Sequence, residues 1–311
     1  MALSSLGSFA TSSDKEFSDY QITNIGSNPS IGTFCHENGH LLCNFPDLYD
    51  YGSESRAIGN YCLMCNGNNT NPKNPIQVSA YLKYRAGWAS SVWLATPGSR
   101  INISAGTNDF VIHPHPTNRT EYFIIENRRA SSRDAALPSE GLAIWHIDER
   151  GDNQNEQMTV TQHYECSLEQ ADGRFDLERN ANLGDSEDLF SANRSRSFGD
   201  ATLPNSKWWD GTSSGLEITN VSFPGLSMTF QIPPATGDAF ILTAVANTFI
   251  KQSTEPSQSL PDDEKFTMLA GESINLNSFR PANNNHWEIE LSTPENGTSR
   301  WFAFKPHVKI N

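Results

Sequence analysis

The chain has 311 residues, with 22 Lys+Arg against 36 Asp+Glu and a formal net charge of −14. Such a balance excludes a general binder of nucleic acid or of anionic membrane, because phosphate-rich partners need a basic face. Hydrophobic residues at 36% and charged residues at 19% exclude a charge-swollen disordered chain, and no run of about 18 apolar residues is present to span a bilayer.

Residues 1–30 are polar and Ser-rich, with one strand-like run at residues 20–25. The first eleven residues lack a basic segment and a solid apolar stretch, so no signal peptide is read there. Six Asn-x-Ser/Thr sequons, at Asn68, Asn102, Asn118, Asn193, Asn220 and Asn296, nevertheless suggest export. Four of the five cysteines, Cys35, Cys43, Cys62 and Cys65, cluster within 31 residues, and Cys166 stands apart. The odd count leaves at least one thiol unpaired in a monomer.

Residues 31–43 read as a short helix with Thr33 as N-cap and Phe34, His40, Leu41 and Cys43 on its apolar side. Pro46 disfavours helical geometry at Phe45 and stops it. A loop of Asn, Gly and Pro follows, and Pro75 opens a second predicted helix that runs to about Trp88 and closes at Gly87. The period then changes. Strand signals at residues 110–112, 121–126, 142–147 and 226–232 are separated by turns, and residues 170–215 form an acidic excursion with little regular pattern. After a Pro-rich linker at 233–237, residues 238–311 carry three or more short strands.

The chemistry concentrates at His36-Glu-Asn-Gly-His40. Helical spacing i, i+4 puts both imidazoles on one face, where one Zn²⁺ can bridge them. Glu37, beside the first histidine, is placed to act as general base on a water activated by the metal. A third ligand is required. No Asp or Glu occurs between Glu54 and Asp109, so the second predicted helix offers none, and the next histidine is His113 on another element. Asp47, Asp50 and Glu54 remain. A sharp turn at residues 44–46 can return Asp47 over the metal and leave a position open for water, as in a catalytic zinc site.

Residues 32–51, Gly-Thr-Phe-Cys-His-Glu-Asn-Gly-His-Leu-Leu-Cys-Asn-Phe-Pro-Asp-Leu-Tyr-Asp-Tyr, resemble the zinc helix of the family six (immune inhibitor A type) metallopeptidases, which are metzincin-like. The resemblance continues at residues 59–64 (Gly-Asn-Tyr-Cys-Leu-Met), 122–128 (Tyr-Phe-Ile-Ile-Glu-Asn-Arg), 141–148, 170–173 (Gln-Ala-Asp-Gly) and 209–211 (Trp-Asp-Gly), covering roughly residues 20–232. It implies zinc on His36, His40 and Asp47, Glu37 as base, and Met64 as the methionine of the turn beneath the metal. Cys43 stands where the family usually has Gly, and one extra residue precedes the Pro-Asp pair. Asp47 is therefore seven residues after His40, with Asp50 as the fallback ligand.

These readings predict an α+β protein in three parts. They are a partial metzincin-like catalytic domain (1–90), a β-rich sandwich-like domain (91–236), and a small all-β, barrel-like domain (237–311). The implied function is a secreted zinc endopeptidase acting on protein or peptide substrates. Because only 35 residues precede His36, the resemblance further implies a form truncated at its N-terminus, lacking most of the sheet that holds substrate. The alternatives are a non-catalytic β-rich binding or adhesion protein with a vestigial zinc site, and a zinc hydrolase of non-peptide substrates. The cysteines are expected to tie the helix end to the Met64 turn as disulfides. The cluster Asp172, Asp176, Glu178, Asp185, Glu187 and Asp188 is a candidate Ca²⁺ site, Met64 and Trp208–Trp209 could equally be core, and the aromatic-rich 237–311 segment is a candidate for surface or polymer contact.

Overall fold

The computed structural model describes residues 30–154, 158–233 and 240–310, together with residues 9, 10, 12, 13, 16, 17, 21 and 27. The strand-like run at 20–25 lies outside the described residues, Gln21 apart. Among the described residues no helix is long and apolar enough to cross a membrane. The fold is α+β and mostly sheet, and the chain divides into two compact units, Met1–Pro233 and Pro234–Asn311.

The first unit opens with a minimal strand pair, β1 (Phe9–Ala10) and β2 (Glu16–Phe17). Helix α1 (Gly32–Cys43) follows, then a single turn α2 (Asn68–Thr70) and a short helix α3 (Ala80–Arg85). Five strands form the central sheet in the order β3 (Ser91–Leu94), β5 (Asp109–Pro114), β6 (Glu121–Arg128), β7 (Gly141–Asp148) and β8 (Cys166–Leu168). Only β3 and β5 run parallel. A two-stranded ribbon, β4 (Arg100–Ser104) with β9 (Ser227–Gln231), makes a second layer.

Every residue of β6 and β7 is buried, because the sheet is covered on both faces. Phe110, Ile112, Tyr122, Ile124, Trp145 and Ile147 pack toward Phe45, Met64 and Tyr81 of the helical part. The alternate set, Val111, Phe123, Ile125, Leu142 and Ile144, packs with Ile103, Met228 and Phe230 of the ribbon. Period-two alternation thus assigns one strand to two cores. The first unit, Met1–Pro233, takes in both the 1–90 part and all but the last three residues of the 91–236 part around this sheet.

The four strand signals of the first unit each became a strand. The second helix is shorter than the predicted 75–88. Residues 75–79 instead lie outside any helix, held by Ile76 N–H to Gly67 O (3.1 Å) and Gln77 N–H to the Asp134 carboxylate (3.1 Å), while Gln77 O accepts from Leu63 N–H (3.2 Å). Tertiary bonding to the 62–67 segment overrides the local helical signal there.

The second unit is a seven-stranded antiparallel sheet. Its strands are β10 (Phe240–Ala244), β11 (Thr248–Lys251), β12 (Lys265–Met268), β13 (Ser273–Ala282), β14 (His286–Glu295), β15 (Thr298–Phe304) and β16 (Val308–Ile310). The order is β12-β11-β15-β14-β13-β10-β16. The expected barrel is corrected to an open sheet. Closure needs every strand paired on both sides, and among the described residues the short edges β12 and β16 each pair with one neighbour.

A buried ionic stack ties β6, β7 and the 163–209 region together. His146 Nε2 meets Glu121 Oε1 at 3.1 Å, and its Nδ1 lies 3.6 Å from Glu169 Oε1. Trp209 is sandwiched between the His146 and His163 rings, with centroids 4.9 and 4.4 Å away. Trp208 is core, and His163 lies just before β8. Burial pushes the His146 pKa down, but the two glutamates outweigh it and the net shift is upward. A raised histidine pKa gives stability that is full below the unfolded value near 6.5 and lost as pH rises through the higher folded value. Thermal unfolding of the first unit is therefore expected at falling temperature as pH rises from about 6.5 through the raised His146 value. His146→Gln should flatten that slope, and an unchanged slope would dismiss His146 as its source.

Candidate metal centre

Helix α1 starts without a side-chain cap. Thr33, read as N-cap, lies inside the first turn, and the N-terminus is tied by Ile31 and Gly32 N–H groups to Pro72 O (2.8 and 3.1 Å). The approach is close enough that a Cβ on Gly32 would lie 2.0 Å from Asn68 O. The helix ends at Asn44, whose left-handed conformation (φ 51°) lets Phe45 N–H reach back to Gly39 O at 3.1 Å. Pro46 then directs the chain back, and Asp47 returns over the helix. The extra residue in this turn is absorbed by the reversal at Asn44.

His36, His40 and Asp47 meet at one point. His36 Nε2 is 2.9 Å and His40 Nε2 3.1 Å from Asp47 Oδ1, and the two Nε2 atoms are 3.2 Å apart. Each Nδ1 is bonded to a backbone carbonyl, His36 to Leu63 O (2.9 Å) and His40 to Phe45 O (2.6 Å). A carbonyl only accepts, so each Nδ1 carries a proton and each ring turns its Nε2 inward toward Asp47 Oδ1. Once both Nε2 atoms are free of protons, three acceptors face one another. Their separations suit a cation with N and O ligands at about 2.0–2.2 Å, since adjacent corners of such a tetrahedron are about 3.3 Å apart. This cluster can hold a metal ion.

Supporting bonds fix the donors. Tyr51 O–H donates a short hydrogen bond to Asp47 Oδ2, which leaves Oδ1 for the centre. Asp47 is buried to 11% side-chain exposure. Burial opposes its ionisation, but the hydrogen bonds from His36, His40 and Tyr51 win, so its pKa falls well below the usual carboxylate range. The same Asp47 hydrogen bond raises the His40 pKa above 6.5 against the effect of burial. Metal must displace that proton, so affinity is expected to fall about tenfold per pH unit on acidification below the raised His40 value. Equal affinity at pH 5 and pH 8 would contradict this coupling.

Beneath the helix lies Met64, fully buried. A Cβ on Gly39 would come within 2.6 Å of its Sδ, and Met64 O accepts from Leu48 N–H at 2.7 Å. Strand β6 holds this segment: Arg128, buried beside Glu126 and Asp134, donates to Tyr61 O at 3.1 Å. Glu37 is half-buried and lines the same cavity as His36, His40 and Asp47, a space of about 970 Å³ that Tyr49, Tyr51 and Arg150 also border.

The other candidate ligands lie elsewhere. Asp50 caps its own loop, accepting from Gly52, Ser53 and Ser55 N–H at 2.7, 3.1 and 2.8 Å. Glu54 is exposed and borders a different cavity with Trp209. The expected disulfides are corrected as well: all five cysteines are free. Cys62 Sγ accepts from Ser79 N–H (3.4 Å) and Cys65 Sγ faces Arg56 O (3.6 Å), so both thiols serve the core. Burial pushes Cys65 up to about 12. In the acidic excursion, Asp172, Asp176 and Asp185 bring carboxylate oxygens within 4.8 Å of one another.

Sequence reasoning missed Asn153. Its Nδ2 donates to Asp47 O (2.8 Å) and Glu165 Oε2 (3.3 Å), and its backbone O accepts from Tyr51 N–H (3.0 Å). The loop after β7 thus grips the turn carrying Asp47. No local signal marks it, because the contact spans 106 residues. Asn153→Ala is expected to weaken metal binding about ten- to a hundredfold, as loss of outer support does elsewhere; chelator competition would read it.

No protein-family model matches the chain, and no curated protein matches it.

Proposed function

We propose that the chain is a zinc-dependent endopeptidase of the family six type, with zinc on His36, His40 and Asp47. The observation that carries the reading is the convergence of two imidazole Nε2 atoms, each with its Nδ1 proton tied to a backbone carbonyl, on one oxygen of the Asp47 carboxylate. The order His-Glu-x-x-His, Asp47 and buried Met64 beneath Gly39 supports the metzincin-like assignment. Held by His36, His40 and Asp47, zinc would supply Lewis acidity toward the scissile carbonyl and toward water at neutral pH. Glu37 accepts the proton from the attacking water and passes it to the leaving amine. Tyr51 and the Leu63 and Phe45 carbonyls hold the donors in register.

The test is incubation of the chain with a defined peptide mixture, with and without chelator, read by mass spectrometry. New termini that vanish with chelator and return with zinc support the peptidase. Binding without cleavage supports the adhesion reading instead, and cleavage confined to non-peptide esters or amides supports the third.

For the acidic excursion we propose one Ca²⁺ at Asp172, Asp176 and Asp185. Fully buried Asp188 supports it, because its Oδ1 lacks a partner and burial pushes its pKa up to about 6 beside Asp185 and Asp172. Saturating calcium should stabilise the chain by about 2.7 kcal/mol at a hundred times Kd, and Asp185→Asn should remove that gain.

A further inference from the structure

The C-terminal unit contains a cavity of about 430 Å³ beside β11, β14 and β15. That size lies within the range of about 300–1,000 Å³ typical of small-molecule sites. In a chain of net charge −14, none of its lining residues is Asp or Glu. Lys251, His286 and His307 border it, with the rings of Phe249 and Phe304 as apolar walls.

Two of these polar groups are under-used. Lys251 is only 7% exposed, yet Nζ donates one hydrogen bond, to Glu255 O at 2.5 Å, and among the described residues it has no carboxylate in ion-pair range. His286 is 4% exposed. Its Nδ1 bonds to Asn284 O at 2.7 Å, so that nitrogen carries the proton and Nε2 is a bare acceptor. Nε2 is buried and has no partner. Buried polar atoms are ordinarily satisfied, and the exceptions call for a reason.

We propose that this cavity binds a hydroxylated organic acid of the sugar-acid class, with its carboxylate on Lys251, a hydroxyl donating to His286 Nε2, and its C–H faces against Phe249 and Phe304. A carboxylate answers an ammonium that has spare donors and no carboxylate in ion-pair range among the described residues. A hydroxyl answers an acceptor that cannot donate. A sugar acid carries both on one ring with apolar faces. The same chemistry is offered by a free sugar acid and by a uronate residue within a glycan.

The experiment is calorimetric titration of the full chain with glucuronate, galacturonate and an oligogalacturonate, against glucose and acetate. At least one uronate ligand should bind, with glucose and acetate at least tenfold weaker. Tighter binding of the oligomer assigns the source to a glycan, and equal or tighter binding of a monomer assigns it to the free acid. Lys251→Met and His286→Phe should each weaken binding at least tenfold. Because either variant could misfold, ligand-detected saturation transfer on the unaltered chain gives an independent reading. Silence of every uronate ligand in both measurements overturns the proposal, as does full affinity in a folded Lys251→Met chain.

Discussion

Replacing His40 with alanine is expected to abolish stoichiometric zinc binding. The substitution removes one of three donors that face one another within 3.2 Å, and it leaves Asp47 Oδ1 with a single imidazole neighbour. Zinc in small protein sites is held by roughly 10–16 kcal/mol. An equal share per ligand makes the loss about 4 kcal/mol, on the order of a thousandfold in affinity. The fold should survive, because His40 is partly exposed and makes few other contacts, whereas His36 is buried against Leu63. Metal analysis after dialysis checks the result, and one zinc per folded His40→Ala chain would show that the donors lie elsewhere.

Glu37→Gln should behave in the opposite way. Glu37 borders the cavity and is not among the three converging donors, so zinc content should stay at one per chain. The amide cannot take up a proton, and the general-base contribution of about 10²–10⁴ in rate disappears. Turnover should fall at least a hundredfold at equal zinc occupancy. A Glu37→Gln preparation, cleared of contaminating proteases, that cleaves peptides at the normal rate would remove Glu37 from the mechanism.

The centre was largely legible because it is local. Helical spacing dictates that residues 36 and 40 share a face, and a turn at Pro46 leaves few positions for the third donor. Geometry then chose Asp47 over Asp50, through the left-handed Asn44 and the binding of Asp50 to its own loop. The strands at 109–114, 121–128, 141–148 and 227–231 were legible from their apolar runs, whereas the short β3, β4 and β8 carried no signal that was read. Long-range arrangements were not legible. Asn153 reaches Asp47 across 106 residues, and residues 75–79 stay out of the helix because the 62–67 segment offers backbone partners that a helical pattern ignores. Cysteine spacing suggested disulfides, but Cys62 Sγ accepts from Ser79 N–H and Cys65 Sγ faces Arg56 O, and both stay free. Whether the C-terminal strands close or stay open depends on edge pairing, which composition does not encode.

The most direct test is titration of the metal-free chain with zinc while peptide hydrolysis is followed. The account predicts activity rising linearly and breaking sharply at one zinc per chain, with no rise in His40→Ala or Glu37→Gln. Absence of hydrolysis at every zinc loading, or a rise that is unchanged in either variant, would contradict it.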